Sequence, residues 1–369
     1  MSTEATTPQI ALLFPGQGSQ TVGMGKALYD TFPAAKAVFD EADSALGFAL
    51  SKLVFEGPED QLKLTEHTQP AILTVSVAAY RVLEPELKSR GLNAAFAAGH
   101  SLGEYSAHVA AGTFSFAEAV QTVRARGQFM QTAVPAGEGA MAAILGLPYE
   151  QINDICARVS DELTKLPENA PGNAPAEQSV QLREAVEEPG NGIDTPAQAA
   201  AQVSAVVSPA NLNSPDQTVI SGSTAAVERA AALCKEAGAK RTVMLPVSAP
   251  FHCALMRPAQ EQLASHLEAV RFQDPAIPVA ANADAALVSR GAAARDALIR
   301  QVTGAVRWVE CIRLLQTSGA THFIEVGPGK VLTGLNRQID RALVTVNVED
   351  PASLEKTLAS FSPTANSEA

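Results

Sequence analysis

Short, unbroken apolar runs that end in glycine turns alternate along this chain with longer stretches whose apolar residues recur every three to four positions. The first run, "IALLF" at residues 10–14, leads into the glycine-rich "PGQGSQ" and predicts a buried strand. Helical stretches follow to about residue 90. A second run, "AAFAA", leads to Ser101, and a helix then runs to Gly112, a residue type that commonly stops helices. The next helix opens on Ser115 with Glu118 three residues later, the spacing of a capping box, and continues to about residue 133. Strands that end in glycine turns and feed helices describe an α/β domain with a parallel sheet.

From about residue 134 the pattern changes. "GAMAAILGL" reads as a strand, "YEQINDICARVS" as a helix, "VSAVVSPANLN" and "DQTVISGS" as strands, "TAAVERAAALCKEAGA" as a helix and "KRTVMLPV" as a strand. The order β-α-β-β-α-β is that of a ferredoxin-like unit. The first kind of alternation resumes with "THFIEVGPGKVLTGL". The expected architecture is therefore α/β: a large domain with a parallel sheet at 1–133 and 247–369, plus an inserted small ferredoxin-like α+β subdomain at 134–246. Residues 161–202, inside the insertion, are rich in Pro, Ala, Glu and Gln, lack aromatics and carry 8 acidic against 2 basic residues. Such a stretch buries little surface and reads as a mobile linker with a transient helix over 176–188. The tail from about residue 362 reads as frayed.

Composition narrows the class. The formal net charge of −12 argues against a nucleic-acid binder, which needs a basic footprint. Residues 235–341 hold 13 basic and 9 acidic residues, a balance of +4, leaving −16 elsewhere, so an acidic partner could still find a locally basic face. No run approaches the ~20 apolar residues of a membrane span, and "MSTEATTP" lacks a leader's basic and apolar regions, so a cytoplasmic protein, or the mature form of an imported one, is expected. Cys156, Cys234, Cys253 and Cys311 show no C-x-x-C spacing, which predicts reduced thiols and neither a disulfide framework nor a zinc site.

The chemistry centres on "GHSLGEYSA". Ser101 stands at G-x-S-x-G spacing where a strand gives way to a helix, an arrangement that exposes a serine oxygen and aims helix N–H groups at a developing oxyanion. A plain serine N-cap would occupy much the same place. A nucleophilic serine needs a base. Of six histidines, His67 and His322 lie outside any such turn, His266 and His108 read as helix residues, and His100 is turned away as the neighbour of Ser101. His252, in "LPVSAPFHCALM", follows a strand and a proline turn, and the carboxyl ends of parallel strands are where chemistry gathers. "GQGSQTVG" lacks the third glycine of a dinucleotide fingerprint, but its backbone N–H groups could serve an oxyanion; "GPGKVL" is no phosphate loop. Arg124 and Arg126 flank the apolar stripe of the helix after Ser115, and helix geometry does not choose between them.

Together these segments resemble malonyl-CoA:acyl carrier protein transacylases of bacterial type II fatty acid synthesis and the related acyltransferase domains of polyketide synthases. The matching stretches are "FPGQGSQTVGMG", "TQPAI", "GHSLGEYSA", "RARGQFMQ", "NLNSPDQTVISG", "APFHCALM" and "EVGPGKVLTGL", in family order, covering nearly everything except 161–202 and the tails. The large domain would then be α/β-hydrolase-like. The resemblance implies that Ser101 is the acylated nucleophile and His252 its base, oriented by the backbone carbonyl of Gln301 rather than by a carboxylate. It implies an oxyanion hole from the N–H groups of Gln17 and Leu102, a grip by Arg126 on the malonyl carboxylate, and a malonyl-selecting role for Phe251.

The implied reaction is ping-pong. Malonyl-CoA acylates Ser101, and the phosphopantetheine thiol of acyl carrier protein takes the group away. The enzyme itself is expected to bind no cofactor, an acidic carrier is expected to dock on the locally basic face within 235–341, and a monomer is the default expectation. The acidic stretch 161–202, which typical relatives lack, would repel that carrier. Two rivals remain. An α/β-hydrolase wants Ser, then Asp or Glu, then His near the C-terminus, whereas about 115 residues follow His252 here. A non-catalytic scaffold would have no need of Ser101, His252 and Arg126 together.

Overall fold

The computed structural model describes residues 8–164, 205–247 and 249–361. Among these, the strands in chain order are β1 (Ile10–Phe14), β2 (Ala94–Gly99), β3 (Gly139–Leu145), β4 (Val207–Ser214), β5 (Gln217–Ser223), β6 (Arg241–Met244), β7 (Val279–Ala281), β8 (Ala286–Val288), β9 (His322–Val326) and β10 (Val344–Val348). They form two sheets. The larger has the order β10-β9-β1-β2-β7-β8, with every neighbouring pair parallel except β7 and β8.

The all-apolar sequence of β1 follows from its place in the middle of that sheet. Both of its faces are covered, so alternate side chains enter different cores. Ile10, Leu12 and Phe14 join the core beneath the helices Thr65–Ser89 and Phe116–Thr132. Ala11 and Leu13 pack on the opposite side with Trp308, Ile312 and Phe323. All these residues are essentially inaccessible to solvent. The expected capping box is present: Ser115 Oγ accepts from the Glu118 N–H, while the Glu118 carboxylate accepts from the Ser115 N–H.

The smaller sheet has the order β4-β5-β3-β6 and is antiparallel throughout, as a ferredoxin-like β-α-β-β-α-β order requires. The helices Tyr149–Thr164 and Thr224–Glu236 pack on it around Ile144, Ile152, Val159, Ile220 and Val227. Its other face meets the large core through Met141, Ala143 and Val219. The edge strand β4 is also tied to the large unit by backbone bonds, Leu212 N–H to Val306 O at 2.9 Å and Val306 N–H to Ala210 O at 2.8 Å. This α/β-hydrolase-like core with a ferredoxin-like unit is the expected fold class.

Some details differ from expectation. The helix expected to stop near Ser160 continues to Thr164, so residues 161–164 are helix rather than linker. The rest of the expected linker, including the helix over 176–188, lies outside the described residues, as does the tail from 362. β6 covers only part of "KRTVMLPV", and β7, β8 and β10 answer to no run singled out above. The four cysteines are free and buried. No described helix is long and apolar enough to cross a membrane, and the described residues contain no group of three or more His, Cys, Asp or Glu able to hold a metal ion.

Candidate active site

Ser101 occupies the turn between β2 and the helix Gly103–Ala110 with φ 52°, the left-handed region that costs a side-chain-bearing residue about 1–2 kcal/mol. The flanking glycines are a steric requirement of that turn. A Cβ on Gly99 would lie 1.9 Å from the Gly103 carbonyl, and one on Gly103 would lie 2.0 Å from Phe14 O. Asn282, fully buried just after β7, clamps the turn from both sides: its Oδ1 accepts from the Ser101 N–H at 2.7 Å and its Nδ2 donates to Gly99 O at 2.8 Å.

His252 also has a left-handed backbone, φ 61°, and places Nε2 2.7 Å from Ser101 Oγ. Its Nδ1 lies 2.9 Å from the backbone oxygen of Gln301, the last residue of the helix Gly291–Gln301, where carbonyls lack an intrahelical partner. A carbonyl only accepts, so Nδ1 carries the proton and Nε2 presents its lone pair to the serine hydroxyl. Burial first, and then the charge of Arg126, pull the imidazole down to about 3, which keeps it neutral at pH 7.

Arg126 is 2% exposed. Its Nη1 donates to Gln69 Oε1 at 2.9 Å, and its Nη2 donates to Gln301 Oε1 at 3.0 Å and Ser101 Oγ at 3.2 Å. Its Nε has no partner among the described residues. Arg124 goes elsewhere, stacking 4.5 Å from the centre of the Phe48 ring. Tertiary packing, which the helical pattern does not contain, thus separates the two arginines.

Ser101, His252 and Arg126 line a cleft of about 130 Å³, walled further by Gln17, Met130, Met141, Asn211, Leu245 and Phe251. Leu102 is the N-cap of the helix that follows Ser101, and neither its N–H nor that of Gln17 donates to a protein acceptor among the described residues. His100, expected to be turned away as the neighbour of Ser101, also lines this cleft, because its short turn carries both residues to the same end of the sheet. Its Nε2 pairs with Asn213 Oδ1. The remaining four histidines are engaged elsewhere: His108 is buried against Thr113, His266 meets Thr122, His67 meets Gln61 O and His322 meets Thr321.

The expected residues therefore meet in one place. Four more join them without having been singled out: Gln69, Glu104, Asn282 and the side chain of Gln301. Gln69 and Glu104 lie inside the quoted stretches "TQPAI" and "GHSLGEYSA", but a glutamate in the first turn of a helix reads as solvated. Asn282 had only its place after a three-residue strand to mark it.

A serine in a glycine-flanked left-handed turn, a carbonyl-oriented neutral histidine and a buried arginine on the same oxygen define an α/β enzyme built for nucleophilic acyl chemistry. Comparison with known proteins agrees. The acyl transferase domain model matches residues 11–174. The malonyl CoA-acyl carrier protein transacylase of Bacillus subtilis (strain 168) is 47% identical over 347 residues, 94% of this chain and 95% of the relative. That of Escherichia coli (strain K12) is 44% identical over 350 residues, 95% of this chain and 99% of the relative. The crystal structure of an acyl carrier protein S-malonyltransferase from Vibrio cholerae superposes with a TM-score of 0.79 at 44% identity, covering 95% of this chain and 99% of that one. A type II PKS acyl-carrier protein in complex with its malonyl-transacylase gives a TM-score of 0.80 at 40% identity, with 95% and 99% covered. The chain belongs to the malonyl CoA-acyl carrier protein transacylase family.

Proposed function

We propose that this enzyme transfers the malonyl group of malonyl-CoA to the phosphopantetheine thiol of acyl carrier protein, supplying malonyl-acyl carrier protein for fatty acid chain elongation. The carrying observation is the position of one atom. Ser101 Oγ lies 2.7 Å from His252 Nε2 and 3.2 Å from Arg126 Nη2, so a base and a fixed cation meet at one nucleophile. A thioester that also bears a free carboxylate has the two features such a pair recognises.

His252 Nε2 takes the Ser101 proton as Oγ attacks the malonyl thioester. The N–H groups of Gln17 and Leu102 receive the oxyanion, where each such donor is typically worth ~10²–10³ in rate. Collapse expels CoA, which leaves with the proton from His252. The phosphopantetheine thiol then gives its proton to the same nitrogen and attacks the serine ester; collapse breaks the Ser101 Oγ–acyl bond, and Oγ takes the proton back from His252. The Gln301 carbonyl holds Nδ1–H throughout, so one tautomer serves both halves of the cycle.

Arg126 grips the malonyl carboxylate as a bidentate fork, whereas an acetyl group leaves the cation unpaired. Phe251, on the cleft wall, favours malonyl over bulkier branched acyl groups. Water must be excluded for transfer to beat hydrolysis. No cofactor is bound by the enzyme itself. The acidic carrier docks on the locally basic face within 235–341, the inserted unit spans 134–246, and the enzyme works as a cytoplasmic monomer. Brief incubation with malonyl-CoA followed by intact-protein mass and peptide mapping tests the central step: one malonyl group on Ser101, and none on Ser101→Ala. An unmodified enzyme, or an equal adduct on the variant, refutes it.

A further inference from the structure

Arg126 is a buried cation with no carboxylate within ion-pair distance among the described residues. The nearest along its hydrogen-bond chain is Glu104, fully buried on the helix that follows Ser101. The Gln301 side chain joins the two: its Oε1 accepts from Arg126 Nη2 at 3.0 Å and its Nε2 donates to Glu104 Oε2 at 2.7 Å. Oε2 also accepts the Asn282 N–H at 2.9 Å, whereas Oε1 has no partner among the described residues.

A carboxylate buried with one bare oxygen is costly unless a cation balances it. Arg126 is the cation whose charge reaches Glu104. The other titratable groups facing it do not compete for that role. Asp284 is of like sign and is paired to Arg300, while burial raises the Tyr105 phenol and the Cys311 thiol and so keeps both neutral.

We propose that Glu104 is the internal counter-ion of Arg126 and a determinant of malonyl specificity: it balances the guanidinium while the acyl cleft is empty, and takes a proton from solvent when a substrate carboxylate replaces it. The proposal rests on the reading that Arg126 binds the malonyl carboxylate. With malonyl bound, one guanidinium would face two buried carboxylates, and protonating Glu104 removes the excess charge. The bare Oε1 can hold that proton without breaking any existing hydrogen bond. Burial already lifts Glu104 to about 7, so a modest change in nearby charge tips it near neutral pH. An acetyl group brings no charge and leaves the protonation equilibrium of Glu104 where it was.

Proton uptake on binding means that malonyl-CoA is favoured at lower pH. The test compares kcat/KM for malonyl-CoA and acetyl-CoA from pH 6 to 8.5 in the unmutated enzyme and in Glu104→Gln. That substitution keeps an oxygen for Asn282 and Gln301 and puts its amide nitrogen at the bare position, removing charge rather than bonds. The malonyl-to-acetyl ratio should fall about tenfold with rising pH in the unmutated enzyme, the equivalent of one pKa unit, and stay flat in Glu104→Gln. A flat ratio in the unmutated enzyme, or an equal fall in both, overturns the proposal. Should the variant not fold, a pH indicator in weak buffer at pH 7 reads the unmutated enzyme directly: net proton uptake on malonylation supports the exchange, and none overturns it. Retained malonyl preference in Arg126→Ala would refute the carboxylate site itself, and this proposal with it.

Discussion

Replacing Arg126 with alanine separates the two things its guanidinium can touch. Nη2 lies 3.2 Å from Ser101 Oγ, so the residue could act on the nucleophile; as a fork it could act on the substrate carboxylate. Two charge-assisted hydrogen bonds to a carboxylate, at about 1.5–3 kcal/mol each, sum to about 3–6 kcal/mol. At 1.36 kcal/mol per decade, Arg126→Ala should lower kcat/KM for malonyl-CoA by about 10²–10⁴. Acetyl-CoA makes neither bond. Its kcat/KM should change by less than about tenfold, the residue coming from Gln69 and Gln301, whose Oε1 atoms lose a donor. The assay is steady-state transfer to holo acyl carrier protein with both thioesters. Equal losses for the two would refute the fork and make Arg126 a partner of the serine instead.

Other substitutions probe the scaffold. Asn282→Ala removes both bonds that clamp the serine turn, and with two buried groups left unpaired should cost about 2–6 kcal/mol in denaturant unfolding while lowering the rate of Ser101 acylation. Gly103→Ala places a methyl 2.0 Å from Phe14 O and should abolish acylation with about 3 kcal/mol or more of destabilisation, read by thermal melting. His108, which the mechanism does not use, is held by burial at about 3. Its folded value is depressed, so the stability it contributes is present above the unfolded value near 6.5 and is lost as pH falls toward 3. The stability advantage of the unmutated protein over His108→Gln should therefore shrink by about 2 kcal/mol between pH 6.5 and 5. The same sign applies to His252, so acylation should show no loss at an ordinary histidine pKa near 6.5.

How much of this was legible beforehand depended on whether a feature is local. β1, the Ser115 capping box and the serine turn are each set by residues within one or two turns of chain, and the pattern of apolar and glycine positions carries them. The small sheet was legible as an order of elements, and its strand order then follows from that topology. β7 and β8 are three residues each, too short for alternation to register. Choosing Arg126 over Arg124 required knowing which flank of the helix faces Ser101, a fact of packing that the resemblance supplied and the helical period did not. The polar network behind the serine was the least visible part. Glu104, Gln301 and Asn282 come from three separate segments, and nothing near any of them in sequence marks it as buried.

The central claim is that this serine ester is made to be passed on, and a pulse and chase tests it most directly. Enzyme is malonylated, freed of malonyl-CoA and divided between buffer alone and buffer with holo acyl carrier protein, and intact masses are followed in both. The malonyl group should persist on the enzyme in buffer and move to the carrier when it is present. Loss to water at the same rate in both, with the carrier left unmodified, would contradict the account and make the chain a hydrolase.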